Sequence, residues 1–90
     1  MHKRVNSEHI AELFRLIASL ETADDVCELF GDMCTEREIE QMAQRIIAAR
    51  LLKEGKTYQQ VTELCDISSA TLSRVSRCVQ YGTGYNKFLK

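Results

Sequence analysis

The chain has no proline, and its four glycines stand at 31, 55, 82 and 84. The stretches between them are rich in helix formers, with nothing inside that must break a helix. No window shows the sustained alternation of β-branched residues that a strand requires. The chain is therefore expected to be all-α, with about six helices. Ninety residues suit one domain with a small core, and at that size association with a second chain helps considerably.

Start signals divide the helices further. Ser7 is read as the N-cap of a first helix after a basic arm over residues 1 to 6. Ile10, Leu13, Phe14, Ile17 and Leu20 then follow helical spacing, and Leu16 widens the stripe. So broad an apolar face exceeds what one thin domain covers, which points to contact with another chain. Thr22 is the expected cap of a second helix with Asp24 and Asp25 in its first turn, and Gly31 its expected stop.

Thr35 and Glu38 have the spacing of a capping box, and Ile39, Met42, Ala43, Ile46, Ile47 and Leu51 repeat after it. This longest helix is expected to end near Glu54, with Gly55 as its terminator. Thr57 with Gln60 makes a second capping box and opens a short helix to about Leu64. Ser68 or Ser69 caps the next helix, which runs to about Gln80. Residues 81 to 84 are expected as a loop, and YNKFLK as a short helix whose Phe88 and Leu89 pack back.

Charge and cysteine content narrow the function. A net charge of −1 argues against indiscriminate nucleic-acid binding, but the charge is unevenly distributed. Residues 1 to 44 carry four basic and ten acidic side chains, a balance of −6; residues 45 to 90 carry eight and three, a balance of +5. That asymmetry suits one face toward phosphate and another toward solvent or a partner. Cys27, Cys34, Cys65 and Cys78 form no C-x-x-C pair and have no histidine close by in sequence. They read as reduced, mostly buried thiols, with no metal or other cofactor implied. The first apolar stretch is broken by Glu12 and Arg15, so it is neither a signal core nor a membrane span. The cytoplasm is the default location. With no glycine-rich phosphate loop and no cysteine–histidine pair, an enzyme is not expected.

The segment TYQQVTELCDISSATLSRVSR, residues 57 to 77, concentrates the chemistry. Val61 and Cys65 face inward from its first helix, Ile67 anchors the turn, and Leu72, Val75 and Val79 share one side of the second helix. At 100° per residue, Ala70, Ser73, Arg74 and Arg77 fall on the opposite side. Small residues near the N-terminus let such a helix enter a major groove. Ser69 and Ser73 can meet base edges there, and the Ala70 methyl a thymine methyl. Backbone N–H groups at Thr57 and Ser68 can hold phosphates, Gln59 can touch backbone or base, and Arg74 and Arg77 can neutralise phosphate or reach guanine. Asp66 stands in the turn where glycine is usual. Aspartate tolerates left-handed backbone better than most residues, but its charge is unwelcome beside phosphate.

The run LFGDMCTEREIEQMAQRIIAARLLKEGKTYQQVTELCDISSATLSRVSR resembles the Trp repressor superfamily, in its Trp-repressor-like (YerC/YecD) branch. CTEREIEQMAQR, LLKEGKTY and SSATLSRV carry the resemblance, which extends over residues 10 to 82. It implies an intertwined homodimer reading a palindromic operator in double-stranded DNA, most simply as a repressor. On that reading residues 1–90 form one DNA-binding domain: dimerisation helices over 7–54, the helix-turn-helix over 57–80 and a C-terminal segment over 81–90.

Arg45 and Arg74 match the two arginines that hold tryptophan in the Trp repressor itself. Where that protein has a glycine after the second arginine and a serine four residues beyond it, this chain has Val75 and Cys78. Valine adds bulk where an indole needs room, and cysteine is the poorer hydrogen-bond partner. A tryptophan corepressor is therefore not expected, and Arg45 and Arg74 are assigned to phosphate contact, to bracing the head or to a different effector. The competing reading is a helical protein-interaction module that uses the apolar and acidic N-terminal half and does not read DNA.

Overall fold

The computed structural model describes residues 6–90. The proposed basic arm lies outside these residues except for Asn6. The described residues form six helices: α1 (Ser7–Ala18), α2 (Ala23–Met33), α3 (Glu36–Lys53), α4 (Tyr58–Leu64), α5 (Ser69–Tyr81) and α6 (Gly84–Phe88). The described residues contain no strand, so the all-α expectation holds. They form two compact units, one up to Thr35 and one from Glu36 onward.

In the first unit the cap of α1 is Asn6, not Ser7. Its Oδ1 accepts from the N–H groups of Glu8 at 2.8 Å and His9 at 3.4 Å, and Ser7 becomes the first helical residue. Asparagine caps at least as well as serine, so the signal lay one residue upstream. Thr22 caps α2 as expected, and Asp25 completes a capping box by accepting from the Thr22 N–H. Gly31 does not stop α2, which continues to Met33 with Cys34 as an extended C-cap. Glycine is only moderately costly inside a helix, so it need not end one. No residue of α1 or α2 is buried. Ile10, Leu13, Phe14 and Leu16 remain exposed, and Phe14 shows 63% of its surface.

The second unit has a small core of its own. Ala48 and Ala49 of α3, Val61 of α4, Cys65, and Leu72 and Val75 of α5 are buried together. Leu51, Leu52, Ile67, Val79, Tyr85 and Leu89 pack around them. Both α4 and α5 pack on α3, and α6 packs on α5. Burying the Leu72 side chain contributes about 2 kcal/mol. The inward face of α3 is thus its alanines. Ile46 and Ile47, which the periodicity placed in the apolar stripe, are 42% and 45% exposed. Periodicity identifies apolar positions on a helix but does not say which of two flanks its neighbours cover.

The connections follow local chemistry. Gly55, at φ +93°, lets the chain turn out of α3 through a conformation that costs other residues. The Thr57–Gln60 capping box is present, with Thr57 Oγ1 accepting from the Gln60 N–H at 3.2 Å and Gln60 Oε1 from the Thr57 N–H at 2.9 Å. Ser68, rather than Ser69, caps α5. This helix includes Tyr81, so the expected loop shrinks to Gly82 and Thr83. Leu89 packs back on the core as expected, joined by Tyr85, whereas Phe88 is 76% exposed. Of the four thiols only Cys65 is buried, while Cys34 and Cys78 are half-buried and Cys27 exposed.

Candidate nucleic-acid interface

α4 and α5 form the helix-turn-helix. The turn uses no left-handed residue at Asp66, because no non-glycine among the described residues has a positive φ. Cys65 and Ser68 are extended instead, and the Asp66 N–H donates to Gln44 Oε1 of α3 at 3.2 Å. The aspartate in this turn therefore needs no special backbone. At the far side of the turn Ser68 Oγ accepts from the Thr71 N–H at 3.2 Å and donates to Thr71 Oγ1 at 3.0 Å. Both helix starts are fixed before any ligand arrives.

The outward face of α5 carries Ser69, Ala70, Ser73, Arg74 and Arg77, all exposed. Leu72, Val75 and Ser76 on the other side are buried. Ser76 breaks the apolar pattern, yet no buried side-chain polar atom of the described residues lacks a hydrogen-bond partner. On α4, Thr57 and Gln59 are exposed. The Thr57 N–H is already committed to Gln60, so it is not a spare donor for phosphate. Tyr58 and Gln59 supply the first-turn N–H groups that the capping box does not use. Ser68 is exposed at the start of α5, its hydroxyl serving as the cap.

Arg45 of α3 and Arg74 of α5, twenty-nine residues apart in sequence, line one open cleft of about 820 Å³. Val75 and Cys78 line it too, the two residues at which the motif departs from the tryptophan-binding pattern. Its far wall is the C-terminal segment, including Tyr85, Phe88 and Leu89. The sequence reading missed this wall. Its anchors are hydrogen bonds from α3 residues 32 to 40 positions away, which leave no local signal: Lys53 Nζ donates to the carbonyls of Tyr85 at 3.3 Å and Leu89 at 2.9 Å, and Arg50 Nη1 to that of Lys90 at 2.8 Å. In the core, burial pushes the Cys65 thiol up from its ordinary pKa, because desolvation disfavours the thiolate. The described residues contain no cluster of three potential metal ligands, and no helix among them is long and apolar enough to cross a membrane.

Comparison with known proteins decides the family. The model of the Trp repressor protein family matches residues 8–90. The chain belongs to the Trp repressor family. Within that family it is 39% identical over 79 residues to the Bacillus subtilis (strain 168) protein named "Uncharacterized protein YerC", an alignment covering 88% of this chain and 76% of the relative. A TrpR-like protein from Eubacterium eligens ATCC 27750 superposes with a TM-score of 0.83 at 38% identity, over 89% of this chain and 84% of the other. This member of the Trp repressor family thus has the Trp-repressor-like all-α fold in its YerC branch. The family's proteins are DNA-binding regulators rather than enzymes.

Proposed function

We propose that the chain is a sequence-specific double-stranded DNA-binding transcriptional regulator, a repressor, which reads the major groove as a homodimer in the cytoplasm. The observation that carries this reading is the two-sided α5. Its apolar side is buried against α3, and its small, polar and basic side faces solvent behind a capped start. Ser69, Ala70 and Ser73 are assigned to base edges, Arg77 and Arg74 to phosphate or guanine, and Gln59, Thr57 through its hydroxyl proton, and Ser68 to the flanking backbone. Arg45 braces the head or meets phosphate. A bound dimer excludes polymerase from a promoter without further machinery. Tryptophan is not its corepressor.

Dimerisation accounts for the apolar surface that each chain leaves open. Ile10, Leu13, Phe14 and Leu16 in one unit, and Ile46 and Ile47 in the other, are too large and too exposed for a chain acting alone. The operator is accordingly expected to be a palindrome with half-sites one helical turn apart.

The test is selection of random duplex DNA by the purified protein across a salt series, with sedimentation to give the oligomeric state. Enrichment of a palindrome by a dimer supports the reading. Failure to retain DNA even at low salt overturns it and favours a protein-interaction module built on the exposed apolar residues and acidic side chains of the N-terminal unit.

A further inference from the structure

The recognition helix is tied to α3 at both ends by polar contacts outside its core. At its start, the turn is held by the Asp66 N–H on Gln44. At its finish, the tie runs through the C-terminal segment. Asn86 Nδ2 donates to the carbonyls of Val79 at 2.8 Å and Gly82 at 3.1 Å, in the last turn and at the C-cap of α5. Those are acceptors that a helix end leaves without intrahelical partners. The same short segment is held on its other side by Lys53 and Arg50 from the last turn of α3. Charged donors make these the stronger kind of hydrogen bond. Tyr85 and Leu89 add apolar contact with the core.

Two further observations bear on how α5 is held. A Cβ at Gly82 would lie 2.7 Å from the Cys78 carbonyl oxygen, so the chain leaves α5 where no side chain fits. The α3 surface beneath α5 includes Ala48 and Ala49, which permit close approach but offer little interlocking to set the roll of one helix on the other. Polar ties at the two ends add to that constraint.

We infer that Lys53 and Asn86 are positioning residues for DNA reading, and that the strap from Gly82 to Lys90 sets the angle at which α5 meets the groove. This rests on the DNA-binding function proposed above. Neither residue need touch DNA: the strap acts on the placement of Ala70, Ser73 and Arg77. Base readout demands sub-ångström placement, whereas attraction to phosphate does not. Loss of the strap therefore lowers preference for the operator while leaving general affinity for DNA in place.

The experiment compares the unaltered protein with N86A, K53M and K53R, using the sequence selected from random duplex and an unrelated duplex of equal length. Hydrogen exchange over residues 82 to 90 and circular dichroism are followed in parallel. The two donors of the Asn86 amide already go to the Val79 and Gly82 carbonyls and N86A removes no charge, so a change in its sequence preference does not come from a lost phosphate contact. The expected result is faster exchange in the strap of N86A and K53M at unchanged helicity. Their preference for the selected sequence falls about tenfold, the scale of one mismatched base pair, with binding to the unrelated duplex unchanged. K53R, which keeps a cationic donor, restores the preference. Unchanged preference in a variant with a loosened strap overturns the inference, as does an equal loss on both duplexes. An unaltered protein without any sequence preference overturns the DNA reading itself, and this inference with it.

Discussion

The amide of Asp66 donates to the side-chain oxygen of Gln44, joining the turn of the helix-turn-helix to the long helix beneath it. The two residues are 22 positions apart. Removing the acceptor in Q44A leaves the amide to water, and the expected cost is about 1 kcal/mol. Q44E keeps an acceptor and should cost less. Urea denaturation of the three proteins measures the difference; equal stability of Q44A and the unaltered chain would show that the bond contributes nothing.

The capping box at Thr57 gives a second stability prediction. T57A loses the hydroxyl that accepts from the Gln60 amide and should destabilise the protein by about 1 kcal/mol. T57S retains the acceptor and should remain close to the original. Thermal melts read both, and a T57A protein as stable as T57S would remove the cap from the account.

Arg77 is exposed on the outward side of α5, away from the buried core. R77A should weaken DNA binding and lower the dependence of log K on log salt by roughly one unit, as for one lost phosphate contact. Helical content and sedimentation should not change. Loss of sequence preference with an intact salt slope would instead mark Arg77 as a base reader.

Val75 is buried and lines the cleft shared by Arg45 and Arg74. Calorimetric titration of the unaltered protein with tryptophan should therefore show no stoichiometric binding at micromolar concentration. A saturable signal with one site per chain would mean that the cleft admits an indole despite the valine.

The buried Cys65 makes stability depend on alkaline pH. Its folded-state pKa is raised by desolvation, so the folded protein keeps a proton that the unfolded chain releases. The contribution is fully present below the unfolded thiol value, about 8.5, and is lost as pH rises from there toward the folded value. C65A removes this component, so its stability should fall less between pH 8 and 10. Parallel slopes for the two proteins would assign the alkaline loss elsewhere.

The parts of this fold visible in the sequence are those decided locally. Thr22, Thr57 and Ser68 cap their helices as their positions indicate, and Gly55 ends α3 where a left-handed residue is needed. The inward set of α4 and α5 was legible because each helix buries a single side. The long helix misled because it has more than one apolar flank, and composition cannot rank Ile46 and Ile47 below Ala48 and Ala49 for burial. Gly31 misled because a helix tolerates glycine, and Ser7 because Asn6 competes for the same role. Within the candidate site, the outward side chains of α5 could be named from angular arithmetic alone. The supports at Gln44, Lys53 and Asn86 could not, since each side chain reaches a backbone group whose position depends on the folded chain.

Ala48 and Ala49 have no exposed surface and share the core with Leu72 and Val75 of α5. Alanine is the smallest residue with a side chain, so neither position has much freedom to vary: growth wedges α5 outward, and glycine weakens α3. Variation at this contact is therefore one-sided. A combinatorial library over the contact should return α3 almost unaltered and record its successful changes at Leu72 and Val75, where volume can be exchanged between neighbours. The long helix behaves as a fixed template, and the tunable half of the joint belongs to α5.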